Sequence, residues 1–168
     1  RNIKKSNDEL IQGKFLRKEN MGRELHDCKV GILGFGNNGQ QFAQHLLHFG
    51  VQVYAHDCEE KSFIAHENLH FSTNISELIN QCDVLSLHLP IDNKAKEKVH
   101  QVLNQMKQPF ILINCAREKL IETDLLFEML VNEKITGAGI DVWEEEPLDL
   151  LPKKKFEKIN QILAMPQV

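Results

Sequence analysis

From Lys29 to the end of the chain, short apolar runs alternate with stretches whose apolar positions recur every three or four residues. The runs at residues 29–33, 52–55, 84–87, 110–113 and 137–142 predict strands, with a weaker one at 70–72 and a last edge strand at 161–164. Strands this apolar along their length need cover on both faces, which a parallel sheet between helices provides. Phe42, Leu46 and Leu47 form the stripe of a first helix, and Asn74 with Glu77 three residues on reads as a capping box for a second. Thr123 or Asp124 caps a third, which carries Leu125, Leu126, Met129 and Leu130. Ile3, Leu10 and Ile11 predict a helix ending at Gly13, followed by an extended polar arm. This order of elements predicts an α/β, doubly wound parallel sheet in three αβα layers, with its ligand crevice at the carboxyl ends of the strands where the winding reverses.

Composition narrows the function. With 168 residues, 42% hydrophobic and 26% charged, the chain has core enough for one domain and little beyond it. A net charge of -4 gives no basic footprint for nucleic acid, and no apolar run approaches the roughly 18 residues of a membrane span. The start at Arg1 has no signal-peptide core, so a cytoplasmic setting is expected. Cys28, Cys58, Cys82 and Cys115 are scattered without a CxxC pair, which predicts reduced thiols. His45 and His48 share a helix face without a third ligand, so no metal is expected. Neither end reads as a natural terminus, and further segments are expected on both sides.

The chemistry begins directly after the first strand with GFGNNG, in which Gly34, Gly36 and Gly39 have the spacing G-x-G-x-x-G. Between a strand and a helix, such a turn aims backbone N–H groups and the positive helix end at a pyrophosphate. Gly34 permits the tight turn, Gly36 the close approach of a phosphate, and Gly39 the packing of helix on strand; the amides of Asn37 and Asn38 can donate there too. Asp57 ends the second strand roughly 20 positions on, where a carboxylate receives the adenosine ribose hydroxyls. Its charge repels a 2'-phosphate, and Cys58, Glu59 and Glu60 supply no arginine to welcome one, so NAD is the predicted cofactor. The competing reading of Asp57 is a helix cap or surface acid. The whole unit reads as a Rossmann-type domain.

Four further stretches, with these glycines, resemble the D-isomer-specific 2-hydroxyacid dehydrogenases, nearest the phosphoglycerate dehydrogenase branch. Residues 1–33 look like the linker helix and arm that lead into the nucleotide domain. LSLHLP (85–90) looks like the strand-four loop, LINCAR (112–117) like the segment whose arginine grips the substrate carboxylate, and GAGIDVWEEEP (137–147) like the segment with the nicotinamide-binding aspartate and the catalytic glutamate. The resemblance divides the chain into a linker and arm (1–28) and an NAD-binding Rossmann domain (29–168), with the substrate domain outside both. It implies that His88, Pro90, Cys115, Ala116 and Asp141 contact the cofactor, that Arg117 fixes a 2-hydroxy or 2-oxo acid, and that Glu146 raises the basicity of a partner histidine. Surface acids are the competing reading of Glu146, which stands beside Glu144 and Glu145. Residues 1–168 alone are expected to bind NAD weakly and turn nothing over.

The pattern breaks at three places. The family's final strand leads to a Pro-His pair whose histidine exchanges the hydroxyl proton, and here the text is MPQV, with Gln167 after Pro166. Glutamine hydrogen-bonds a carbonyl but has no proton to exchange. Arg117 is followed by Glu118 where the family carries glycine, and Asn37-Asn38 replaces an Arg-Ile pair. Two functions remain open: an NAD-dependent dehydrogenase, with His88 as a substitute proton donor, or an NAD(H)-binding sensor or scaffold. A homodimer is expected, with Phe15, Leu16 and Met21 of the arm packed either on the partner or on the chain's own sheet.

Overall fold

The apolar runs assemble side by side in the computed structural model, which describes residues 3–143 and 151–168. β1 (Lys29–Leu33), β2 (Gln52–His56), β3 (Leu69–Ser72), β4 (Val84–Leu87), β5 (Phe110–Asn114) and β6 (Ile135–Ile140) lie in the order β3-β2-β1-β4-β5-β6. Every neighbouring pair is parallel. The winding reverses beside β1, as a doubly wound sheet requires.

Side-chain alternation divides the core between the two faces. On one, Val30, Ile32, Val53 and Ala55 meet Ala43 and Leu46 of α2 (Asn37–His48). On the other, Leu33, Leu85, Leu87 and Leu112 cluster with Leu78 of α3 (Ser76–Gln81), Val99 and Val102 of α4 (Asn93–Gln105), and Leu126 of α5 (Thr123–Val131). Each of the Val, Ile and Leu side chains among these, fully buried, contributes about 1.5–3 kcal/mol. Gly31 faces α3 closely enough that a Cβ would stand 2.9 Å from Cys82 Sγ and 3.0 Å from Leu78 Cγ.

Three expectations need correction. Residues 161–164 are not an edge strand: they fall at the end of α6 (Lys153–Leu163) and just past it. Phe156, Ile159 and Ile162 recur at helical spacing, Ile159 and Ile162 are buried, and α6 packs on α5. β6 begins two residues before the expected 137 and stops at Ile140, because its register runs alongside β5 and ends opposite Asn114. The helix caps also differ. Asn74 Oδ1 accepts the N–H of Ser76 at 3.0 Å rather than forming a reciprocal box with Glu77, and Thr123 and Asp124 both lie inside α5, with Glu122 before them. Asp92, which the sequence reading passed over, caps α4 through the N–H of Ala95 at 2.7 Å.

α1 (Ile3–Ile11) ends before Gly13, whose φ of 75° turns the chain out of the helix. The arm is then fastened to the amino ends of β1 and β4. Asp83 Oδ2 accepts the N–H of Lys29 at 2.9 Å and Arg23 Nη2 at 3.0 Å, and Arg23 also reaches the carbonyl of Asp27. Phe15 (76% exposed), Met21 (72%) and Leu16 do not pack on the sheet.

His56, at the carboxyl end of β2, is 4% exposed, with Nδ1 on the carbonyl of Ser72 in β3 at 3.0 Å. Burial lowers its pKa and Lys98 adds to this, against the opposing pull of the Ser72 carbonyl and Asp57. The folded state therefore binds fewer protons here than the unfolded chain does below about pH 6.5, and the stabilisation is complete above that pH and lost as pH falls through the lowered value. The melting temperature should hold level from pH 8 to 7 and decline from pH 6.5 towards 5, less steeply in His56→Asn. An identical acid limb in wild type and variant would contradict this.

Candidate functional site

The carboxyl ends of β1, β4, β5 and β6 form one rim, with β2 adjoining on the far side of β1. Three strand spacings separate β1 from β6, about 14 Å in all. The first feature on this rim is the glycine turn. Gly34 has φ 98° and donates its N–H to the carbonyl of His56 at 2.9 Å, and a Cβ there would stand 2.8 Å from both the carbonyl carbon and oxygen of His88. Only glycine fits. A Cβ on Gly39 would lie 2.2 Å from the Gly34 oxygen, so the first turn of α2 rests directly on the loop. Gly36 differs from both: it is exposed, precedes α2 as its N-cap, and has no atom within 4 Å of a Cβ position. That open space lies before the unpaired N–H groups of a 12-residue helix, beside exposed Asn37 and Asn38.

Phe35 holds the turn from below. Its ring is fully buried, stacked on Phe71 at 5.4 Å and edge-on to Phe63 at 5.4 Å, while Gln40 Nε2 donates to its carbonyl at 3.2 Å. Its N–H donates to Asp57 Oδ2 at 2.9 Å. Burial raises the Asp57 pKa, but the N–H groups of Phe35 and Glu59 and the charge of Lys61 outweigh it, and the net direction is down. The carboxylate is thus ionised at neutral pH. Lys61 Nζ stands 3.4 Å from Asp57 Oδ1, a cation that sequence reading missed because it sits one helical turn beyond the acid in a chain segment that forms no helix.

At β4, the backbone of His88 closes against Gly34, and its N–H donates to the carbonyl of Leu33 at 2.8 Å. Its ring turns inward: Nε2 lies 2.9 Å from Ser86 Oγ, the ring packs on Phe42 at 5.1 Å, and burial lowers its pKa. Pro90 is exposed just beyond.

β5 ends in Asn114, a second residue the sequence reading left without a role. It is 1% exposed, and its Oδ1 accepts the N–H of Ala116 at 3.2 Å while its Nδ2 donates to the carbonyl of Arg117 at 3.2 Å. The buried side-chain amide thus shapes the Cys115–Ala116–Arg117 bend, while the backbone carbonyl of Asn114 accepts the N–H of Asp141 at 3.1 Å and joins the bend to the end of β6. A polar residue closing an otherwise apolar strand was the available signal. Cys115, Arg117 and Asp141 are exposed on the rim, and Arg117 donates to the carbonyl of Ala116 at 2.6 Å. Among the described residues, no hydrogen bond or ion pair joins Arg117 to Asp141 or to Gln167. The carbonyl of Gln167 accepts the N–H of Ala138 at 2.9 Å, which places it at the outer edge of β6, and its side-chain amide lies 4.0 Å from Met165 Sδ. Glu146 lies outside the described residues.

A cavity of about 470 Å³ lies beside the arm, lined by Leu10, Phe15, Leu16 and Met21 among others, and none of the rim residues described above lines it.

Comparison with known proteins agrees with this geometry. Over 170 residues the chain is 30% identical to hydroxypyruvate reductase of Thermotoga maritima, covering 100% of this chain and 54% of that protein. Over 165 residues it is 32% identical to D-3-phosphoglycerate dehydrogenase of Haemophilus influenzae, covering 95% and 40%. The structure of D-lactate dehydrogenase from Aquifex aeolicus complexed with NAD and lactic acid superposes with a TM-score of 0.83 at 26% identity, covering 99% of this chain and 53% of that one. The chain thus spans about half, or less, of the length of these relatives. The family described as D-isomer specific 2-hydroxyacid dehydrogenase, NAD binding domain, matches residues 1–168. With the glycine turn, the ionised Asp57 and the sheet order already pointing the same way, the chain belongs to the D-isomer-specific 2-hydroxyacid dehydrogenase family and is its NAD-binding domain.

Proposed function

We propose that this chain is the cofactor-holding part of an NAD-dependent oxidoreductase that interconverts a D-2-hydroxy acid and a 2-oxo acid. The observation that carries this reading is the open face of Gly36 before the free amides of α2, next to an ionised carboxylate at the end of β2. The amides of residues 34–39 take the pyrophosphate and Asp57 the adenosine ribose hydroxyls. The backbone at His88 and Pro90 lines the floor between, and Cys115, Ala116 and Asp141 meet the nicotinamide end. When bound, the nicotinamide supplies or accepts the hydride.

Arg117 holds the substrate carboxylate. Its guanidinium presents paired donors in a plane that matches a carboxylate, and the Asn114 bend sets its backbone. This orients the substrate carbon towards the cofactor, a positioning effect. Glu146 is assigned, by resemblance, to tuning the proton-handling group. Gln167 donates an amide hydrogen bond to the substrate oxygen but moves no proton. The relatives differ in substrate, and 3-phosphoglycerate is the first to test, given the likeness to a D-3-phosphoglycerate dehydrogenase.

A second reading, an NAD(H) sensor or scaffold, is favoured by two observations. Gln167 cannot exchange a proton, and the His88 ring is engaged with Ser86 and Phe42 and held neutral. The exposed Phe15, Leu16 and Met21 favour a homodimer through the arm.

Calorimetry and turnover on protein that includes the flanking segments distinguish the readings. The dehydrogenase binds one NADH per chain, oxidises it with a 2-oxo acid, and in Gln167→His gains about 10²- to 10⁴-fold in kcat. Stoichiometric NADH binding without oxidation across a panel of 2-oxo acids, in wild type and variant alike, assigns the sensor role instead. For the dimer, light scattering at micromolar concentration should give twice the chain mass, and a monomer in Phe15→Ser/Met21→Ser. Monomeric wild type would contradict the arm interface.

A further inference from the structure

Asp57 does not stand alone at the end of β2. Its Oδ2 accepts the N–H of Phe35 at 2.9 Å, and its Oδ1 accepts the N–H of Glu59 at 3.3 Å and the thiol of Cys58 at 3.6 Å. Lys61 Nζ lies over that oxygen at 3.4 Å and reaches Glu59 Oε2 at 3.3 Å. The Lys61 side chain is only 25% exposed, so it is a packed feature of the berth rather than a solvent-swept tether. Lys61 is thus paired to two acids, Asp57 and Glu59, and Glu60 precedes it in the chain.

We propose that Lys61 sets how strongly the site rejects NADP(H), so that NADP(H) binds as a weaker but usable alternative to NAD(H). The inference rests on the reading of Asp57 as the ribose acceptor. A ribose diol is neutral and needs only hydrogen-bond acceptors, so an ammonium beside Asp57 changes its binding little. A 2'-phosphate meets the carboxylates of Asp57 and Glu59, and its rejection depends on what screens them. An ammonium within ion-pair distance of Asp57 and Glu59 reduces their repulsion and offers charge-assisted hydrogen bonds to the phosphate oxygens. Lys61 therefore acts almost wholly on NADP(H), whereas Asp57 acts on both cofactors. The absence of an arginine beside Asp57 makes NAD(H) preferred, and Lys61 narrows the preference.

The test measures dissociation constants for NADH and NADPH at two ionic strengths in wild type, Lys61→Met, Lys61→Arg and Asp57→Asn, with melting temperature as the check on folding. Lys61→Met should weaken NADPH about tenfold or more, leave NADH within about threefold, and flatten the salt dependence of NADPH binding. Lys61→Arg should retain wild-type discrimination. If Lys61→Met moves both cofactors equally, or neither, while Asp57→Asn reduces the preference for NADH, Lys61 has no role in selection and this inference is overturned. If Asp57→Asn itself changes neither affinity, the ribose reading fails, and the inference falls with it.

Discussion

One hydrogen bond, from the N–H of Phe35 to Asp57 Oδ2, organises the half of the rim that faces a dinucleotide. It ties the loop after β1 to the end of β2 and uses an ionised acceptor in a partly buried place, where such a bond contributes about 1.5–3 kcal/mol. With the backbone of Phe35 fixed, its ring is committed to the pocket formed by Phe63 and Phe71. The chain must then reach Phe35 through Gly34, in a conformation closed to other residues, and pass through Gly36 into α2 with its first amides turned outward. The other oxygen, Oδ1, accepts the N–H of Glu59 and lies within ion-pair distance of Lys61, so both oxygens of this one side chain have partners within the protein.

Much of this was legible in the chain itself. The near-continuous burial of β1, β2 and β4 follows from their apolar runs, and the turn between β1 and α2 follows from three glycines at fixed spacing. What escaped had a physical cause in each instance. The segment at 153–163 holds Phe156, Ile159 and Ile162 at a helical period, yet its last residues are as apolar as a strand, and packing on α5 decides for helix. The Phe35–Phe63–Phe71 contact joins residues far apart in sequence, which no local pattern encodes. Asn114 was hidden at the end of an apolar word, although a buried amide there has to find partners, and it does so in Ala116 and Arg117 of the bend.

The second half of the rim is built on a different principle. Around the glycine turn, backbone does the work and side chains brace it. Around Arg117 a buried side chain, Asn114, sets the backbone so that an exposed side chain can act. The two halves meet at His88, whose backbone abuts Gly34 while its ring is withdrawn towards Ser86. Amides of the main chain survive a change of side chain, so Asn37 and Asn38 leave the donors at the start of α2 in place.

The central claim is that the outward amides at Gly36 and the start of α2, braced through Asp57, receive the pyrophosphate of NAD(H). Backbone amide NMR during an NADH titration tests it most directly. The account predicts saturable shifts concentrated at residues 34–39, with smaller ones at 57–61 and 115–117, and the loss of the first group in Gly36→Val. Shifts clustered beside the arm, or spread evenly over the chain without saturation, would contradict it.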